Sequence, residues 1–161
     1  MLVVNQANVL TRVVSMFGRR GFNIDSLTVS ATNDPNLSRI TIVFSATEQS
    51  MQKIITQTEK LEVVKDVFLL NRENSLYREL LLIKVRNDPA VRGDIRSASD
   101  AYEGKVVDYT KESIMIQMVG DSRKIDNFIN LMRDFEILEI CRTGIVTLQR
   151  GSTTIRRVTN L

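Results

Sequence analysis

Apolar positions along the chain follow two spacings, one typical of helices and one typical of strands. Apolar residues recur three and four positions apart in residues 9–17, and two positions apart at Ile40, Ile42 and Phe44. The elements predicted for the first half are a strand at 2–4, a helix at 9–17, strands at 22–31 and 37–46, a helix at 51–61 and a strand at 63–70. This order is βαββαβ.

The second half repeats the same order. Its predicted elements are a strand at 77–86, a helix at 90–102, strands at 104–109 and 113–119, a helix at 125–132 and a strand at 136–143. We therefore predict an α+β protein with two tandem ferredoxin-like sandwiches and antiparallel sheets. The predicted bounds are 1–71 and 76–151, followed by a tail at 152–161.

Local signals refine these elements. Gly21 fits the stop of the first helix, and Asp88-Pro89 and Asp121-Ser122 fit the starts of two later helices. The apolar phase changes between Ile24 and Leu27, which predicts a bulge or burial on both faces of that strand. Domains of this size are only marginally stable alone. Oligomerisation is therefore expected to cover a sheet face and an edge in each half.

Composition narrows the class of protein. The chain has 161 residues, 43% hydrophobic and 25% charged, as in ordinary globular proteins. No apolar run approaches the length of a membrane span, and no signal peptide is recognisable, so a cytoplasmic location is expected. Cys141 is the single cysteine, and we expect it to be a small buried apolar residue rather than a nucleophile.

Charge and the missing histidine exclude several functions. The net charge of +3 comes from 22 basic and 19 acidic residues that are well mixed, a weak argument for nucleic-acid binding. No histidine is present, so Ser/His and Cys/His catalysis and most zinc or nickel sites are disfavoured. We predict no catalytic residues and no metal site, and neither a nucleic-acid nor a membrane partner.

Two asparagines mark the ends of neighbouring predicted elements. Asn5 stands where the first strand enters the first helix, and Asn23 stands near the start of the second strand. One interpretation is that both are turn or cap residues. The other is a site for a small zwitterion, because a carboxamide can accept from an ammonium group and donate to a carboxylate. The loop 6–9 would add the N–H groups of a helix N-terminus.

The chain resembles a known family at several motifs. These are Asn5-x-x-x-Val9-Leu10-x-Arg12, Arg20-Gly21-Phe22-Asn23-Ile24-x-Ser26-Leu27, Asp34-Pro35-x-Leu37-Ser38-Arg39, Arg78-Glu79-Leu80-Leu81-Leu82, Gly104-x-Val106-Val107-Asp108 and Arg142-Thr143-Gly144. Together they are similar to the small regulatory subunit of acetolactate synthase (acetohydroxyacid synthase), whose N-terminal part is an ACT domain. The resemblance extends in order over about residues 1–151.

The resemblance implies a non-catalytic subunit that forms a homodimer through its ACT domains and activates a large catalytic subunit. No cofactor is expected on this chain, and thiamine diphosphate, Mg2+ and FAD are expected on the large subunit. It also implies feedback inhibition by valine, bound between the ACT domains of two copies. The implied effector-binding residues are Asn5, Gln6, Ala7, Asn8, Val9 and Leu10 of one chain, with Asn23 and Ile24 of its neighbour.

Two departures from the family pattern stand out. Asn8 occupies a position where the family usually has glycine, and its side chain adds bulk close to the expected ligand. We therefore expect weak or no valine binding, with activation of the large subunit retained. The chain also begins inside the family's first strand, so a short first strand is expected.

Other functions remain possible from the sequence alone. A free-standing ACT regulator of another enzyme or of a transcription factor would share the same sensing domain. An independent enzyme is disfavoured by the lack of histidine, of paired cysteines and of a phosphate-binding loop. The second half also resembles small nickel-sensing domains in topology, but without histidine that metal site is not expected.

Overall fold

The computed structural model describes residues 1–154 of the chain. Its elements are β1 (Leu2–Val4), α1 (Val9–Gly18), β2 (Ser26–Ala31), β3 (Leu37–Val43), α2 (Glu48–Glu59), β4 (Val64–Asp66), β5 (Ser75–Arg86), α3 (Arg92–Ala101), β6 (Lys105–Tyr109), β7 (Ser113–Gly120), α4 (Ser122–Met132), β8 (Ile137–Arg142) and β9 (Val146–Gln149). The class is α+β, as predicted.

The described chain forms two compact units, one from Met1–Leu76 together with residues 147–154 and the other from Tyr77–Val146. The first sheet has the strand order β2-β3-β1-β4, and the second has β6-β7-β5-β8, with β9 pairing to β5 off this path. The registered pairs within both orders are antiparallel. Both orders are those of a βαββαβ sandwich, which confirms the predicted topology. The functional bounds predicted for the two domains stay a prediction, and most of the predicted tail, 155–161, lies outside the described residues.

Each unit has its own hydrophobic core. The first core centres on Phe17, Val13 and Ile40, which α1 and β3 contribute. The second centres on Phe128, Ile83 and alternate residues of β7. Side chains point to opposite faces of a strand in turn, so one face of each sheet is buried under the two helices of its unit.

Several predicted elements differ in extent from the observed ones. The second strand begins at Ser26 rather than at residue 22, and β2 pairs with β3 without a register shift. Of the two explanations predicted for the change of apolar phase, a bulge is therefore wrong. The strand predicted at 63–70 is shortened to Val64–Asp66, and β9 was not predicted. α2 begins before residue 51, because the side chain of Thr47 caps it by accepting a hydrogen bond from the Ser50 N–H.

The two helix starts predicted in the second half had different outcomes. Asp121 caps α4 by accepting from the Lys124 N–H, as predicted. Asp88 instead accepts from the Ala90 N–H in the preceding turn, and α3 begins only at Arg92. Asp88-Pro89 therefore forms the turn that leads to the helix, because the carboxylate satisfies a local N–H before the helix starts.

Two other residues of the second unit have unexpected surroundings. Cys141 is exposed, contrary to prediction, because its partner across β5 is Leu82, on the face away from the core residue Ile83. Glu79 is 4% exposed, and its carboxylate accepts from Arg142 at 2.6 and 2.9 Å. Burial of the Arg142 guanidinium alone would lower its pKa, but the hydrogen bonds that it donates to Glu79 and Asp126, together with their negative charges, outweigh burial and raise the pKa.

Candidate functional site

Asn5 leaves β1 directly and is held on both sides of its carboxamide. Its Nδ2 donates to Pro35 O at 2.9 Å, and its Oδ1 accepts from Ser38 Oγ at 3.0 Å. Its backbone N–H donates to Asn36 O at 2.7 Å. The turn between β2 and β3 thus fastens to the end of β1, and the local interpretation of Asn5 as a turn residue is partly right.

The hydrogen bonds to Pro35 and Ser38 determine the orientation of the Asn5 carboxamide. A backbone carbonyl can only accept, so the amide nitrogen must face Pro35 O and the amide oxygen must face the Ser38 hydroxyl. Each end still has capacity, because Nδ2 carries a second hydrogen and Oδ1 a second lone pair. Asn5 is exposed, so the chemistry predicted for it, accepting from an ammonium group and donating to a carboxylate, is retained.

Asn8 occupies the N-cap position of α1 in the left-handed region, with φ 65° and ψ 0°. Glycine adopts this conformation readily and asparagine is among the few other residues that tolerate it. The side chain of Asn8 makes no capping hydrogen bond, and the first turn of α1 contains no acidic residue. The positive end of this helix is therefore left without a negative group from its own first turn or cap.

The remaining loop residues divide into exposed and buried ones. Gln6 and Ala7 are exposed, and Leu10 is 40% exposed. Val9 is 5% exposed and packs in the first core, so only its backbone could contact an effector. Of these loop residues, Val9 is the one whose side chain is closed to an effector.

Asn23 lies in the segment between α1 and β2, not in the strand where the sequence placed it. It is exposed, and its Nδ2 donates to Asp25 Oδ1 at 3.2 Å. Ile24 is half-buried against the first core. The turn before this segment contains Gly21 at φ 72°, which explains why the helix stops at that point.

Asn5 and Asn23 lie at opposite ends of β3. The residue before Asn5, Val4, pairs with Leu37, the first residue of β3, whereas Ser26 pairs with Val43, the last. A strand of this length spans roughly 20 Å. One chain therefore does not bring the two carboxamides together, and any pocket that contains both must take one from a second copy.

Ser38 supports Asn5, a role that the sequence did not predict. It is 8% exposed and lies beside the apolar core, two residues before Ile40. The sequence contained a signal for it, because a hydroxyl on the apolar face of a strand needs a hydrogen-bond partner. The sequence did not identify Asn5 as the partner of this hydroxyl, because Asn5 is far from Ser38 along the chain.

Arg39 links β3 to the chain that follows β8. Its Nη2 donates to Thr147 O at 2.6 Å, and burial lowers the pKa of its guanidinium. Arg20 donates to Gln57 Oε1 and to Met16 O. Within residues 1–154, no three His, Cys, Asp or Glu side chains converge in a way that could hold a metal ion. No helix in that part of the chain is long and apolar enough to cross a membrane.

The fold and this loop define a class, namely two-domain regulatory proteins whose N-terminal unit is an ACT domain. Residues 1–66 match the family described as AHAS small subunit-like ACT domain, and residues 78–151 match the family described as small subunit of acetolactate synthase. The chain therefore belongs to the acetolactate synthase small-subunit family, as its motifs predicted. This places it among regulatory subunits of branched-chain amino-acid biosynthesis.

Relatives and a solved structure agree with this membership. A probable acetolactate synthase small subunit of Archaeoglobus fulgidus is 41% identical over 94% of this chain and 94% of its own length. The acetolactate synthase isozyme 3 small subunit of Escherichia coli is 35% identical, with 96% of each chain covered. The crystal structure of the Thermotoga maritima acetolactate synthase small subunit superimposes with a TM-score of 0.87 at 37% identity, covering 95% of this chain and 96% of that one.

Proposed function

We propose that this chain is the regulatory subunit of a thiamine-diphosphate-dependent acetolactate synthase. It binds and activates a large catalytic subunit, which would carry thiamine diphosphate, Mg2+ and FAD. Two copies join through their ACT domains and bind a branched-chain amino acid between them, with valine as the expected effector. Effector binding changes how the copies pack and so alters the activity of the catalytic subunit.

The separation of Asn5 from Asn23 along β3 is the observation that supports this most directly. A zwitterion needs both an acceptor for its ammonium group and donors for its carboxylate. Asn5 and the uncapped start of α1 supply such groups at one end of β3, and a second copy would bring Asn23 to them. A site shared between copies also couples ligand binding to their packing, as feedback regulation requires.

We propose further that Asn8 weakens this effector site. Its left-handed backbone is the one that glycine would adopt, so the loop keeps its course. The carboxamide side chain nevertheless adds volume beside the groups that would receive the amino acid. Activation of the large subunit does not depend on this loop in our proposal and is retained.

The test is an activity measurement on the reconstituted pair. Large-subunit acetolactate synthase activity is measured with and without this chain, and each mixture is titrated with valine, leucine and isoleucine. We expect stimulation without effector, and inhibition by valine that strengthens when Asn8 is replaced by glycine.

A pull-down complements this measurement and addresses the main alternative. Co-purification with a large thiamine-dependent partner supports the regulatory-subunit role. Capture of a different enzyme or a transcription factor, without any effect on acetolactate synthase, would support the free-standing ACT regulator instead.

A further inference from the structure

The asparagine arrangement at the end of β1 occurs again in the second unit. Asn87 follows β5 as Asn5 follows β1, and each donates its backbone N–H to a carbonyl of the turn before the neighbouring strand, at 2.9 and 2.7 Å. The Nδ2 of Asn87 donates to Thr110 O, as that of Asn5 donates to Pro35 O. Each half thus uses an asparagine to fasten its strand-joining turn.

The two arrangements differ at the amide oxygen. Ser38 and Ile114 occupy equivalent positions in the two units. The register pairs Ser38 with Val3, two residues before Asn5, and it pairs Ile114 with Val85, two residues before Asn87. Asn5 Oδ1 accepts from the Ser38 hydroxyl, whereas Asn87 Oδ1 has no hydrogen-bond partner among the described residues. An isoleucine cannot donate.

The two asparagines also differ in exposure. Asn87 is 4% exposed, so its amide cannot reach a ligand from solvent, whereas Asn5 is exposed. Fastening the turn therefore does not require the serine, since the second half achieves it with an isoleucine in that place. The hydroxyl of Ser38 is added in the half whose asparagine is open to solvent.

We propose that Ser38 is a positioning residue of the effector site, acting through Asn5. Its hydroxyl occupies one lone pair of Oδ1 while Pro35 O occupies one hydrogen of Nδ2. The carboxamide plane is thereby held at both ends, with one donor and one acceptor directed away from the turn. Ordering these groups before the amino acid arrives lowers the entropy lost on binding. This inference depends on the proposed amino-acid sensing by Asn5.

The experiment is a double-mutant cycle read by calorimetry with valine, leucine and isoleucine. All proteins carry Asn8→Gly, which removes the proposed obstacle, and the series adds Ser38→Ala, Asn5→Ala, both together, and Ser38→Thr. Ser38→Ala is expected to weaken binding about five- to tenfold, the usual effect of one hydrogen bond. Ser38→Thr keeps the hydroxyl and restores most of the affinity.

The cycle separates positioning from a general structural role. If Ser38 acts through Asn5, Ser38→Ala produces no further loss once Asn5 is alanine, and the two effects are not additive. Additive losses, or equal binding by parent and Ser38→Ala, would overturn the inference while leaving amino-acid sensing intact. If the parent binds none of the three amino acids, the sensing proposal fails and takes this inference with it.

Discussion

The left-handed conformation of Asn8 makes a prediction that does not depend on any ligand. At φ 65° a residue with a Cβ is strained by roughly 1 to 2 kcal/mol, and asparagine is strained less because its side chain can hydrogen-bond locally. Glycine avoids the strain but loses more backbone entropy on folding, about 0.4 to 1 kcal/mol. We therefore expect Asn8→Gly to be about 1 kcal/mol more stable than Asn8→Ala, with the wild type between them.

Urea unfolding of the full chain, followed by circular dichroism, measures these differences as shifts of the midpoint. Ala7→Gly is the matched control, because Ala7 is exposed in the same loop and Asn8 is the loop's only residue with positive φ. Glycine at position 7 should lower stability, by about 0.5 to 1 kcal/mol. If glycine raises the free energy of unfolding at position 8 and lowers it at position 7, the backbone strain lies at residue 8.

The wild type, Asn8→Gly and Asn8→Ala also distinguish backbone strain at residue 8 from steric obstruction by its side chain. If the Asn8 side chain obstructs valine, Asn8→Gly should bind valine about tenfold or more tightly than the wild type, since a misplaced polar group usually costs about 1 to 3 kcal/mol. Equal stability of the glycine and alanine variants would refute the backbone argument. Unchanged valine affinity in Asn8→Gly would refute the obstruction argument alone.

Three further predictions concern the second unit. Gly104→Ala should destabilise it, because the new Cβ would lie 2.7 Å from Ser99 Oγ, whereas Gly93→Ala in α3 meets nothing within 4 Å and should stabilise by about 0.5 to 1 kcal/mol; thermal unfolding compares them. Arg142→Met should destabilise by up to a few kcal/mol in urea, because it leaves a buried carboxylate on β5 without its cation. The hydrogen bond that Arg86 donates to Glu136 lowers the pKa of this carboxyl below its ordinary value. The Glu136 carboxylate therefore stabilises the fold above its unfolded-state pKa, and this effect is lost as the pH falls through its folded pKa. The stability difference between wild type and Glu136→Gln should therefore vanish in acid, and a difference constant with pH would contradict it.

Element order could be predicted because each signal is local. The spacing of Val9, Val13 and Phe17 needs no knowledge of the rest of the chain, and neither does a turn of asparagine, aspartate and proline. Element ends were less predictable, because they depend on hydrogen bonds that the pattern does not show. Thr47 extends α2 backward by capping it, and Asp88 delays α3 by satisfying a turn first.

Burial of single residues also required the structure. Cys141 was expected inside because cysteine is usually buried. It is exposed because the register pairs it with Leu82, on the face away from the second core. A shift of one residue in the pairing of β8 with β5 would have placed Cys141 on the buried face. Register is decided by the whole sheet rather than by the local sequence.

The sequence alone determined the repeated βαββαβ order, the family and the candidate residues Asn5, Asn8 and Asn23, because these follow from residue types and short spacings. Only the tertiary structure decided how those residues are arranged. It placed Asn5 and Asn23 at opposite ends of β3, and it joined Ser38 to Asn5 across 33 residues of chain. The physical reason is that strand pairing and side-chain hydrogen bonds connect residues far apart in sequence, and no local pattern specifies which two will meet.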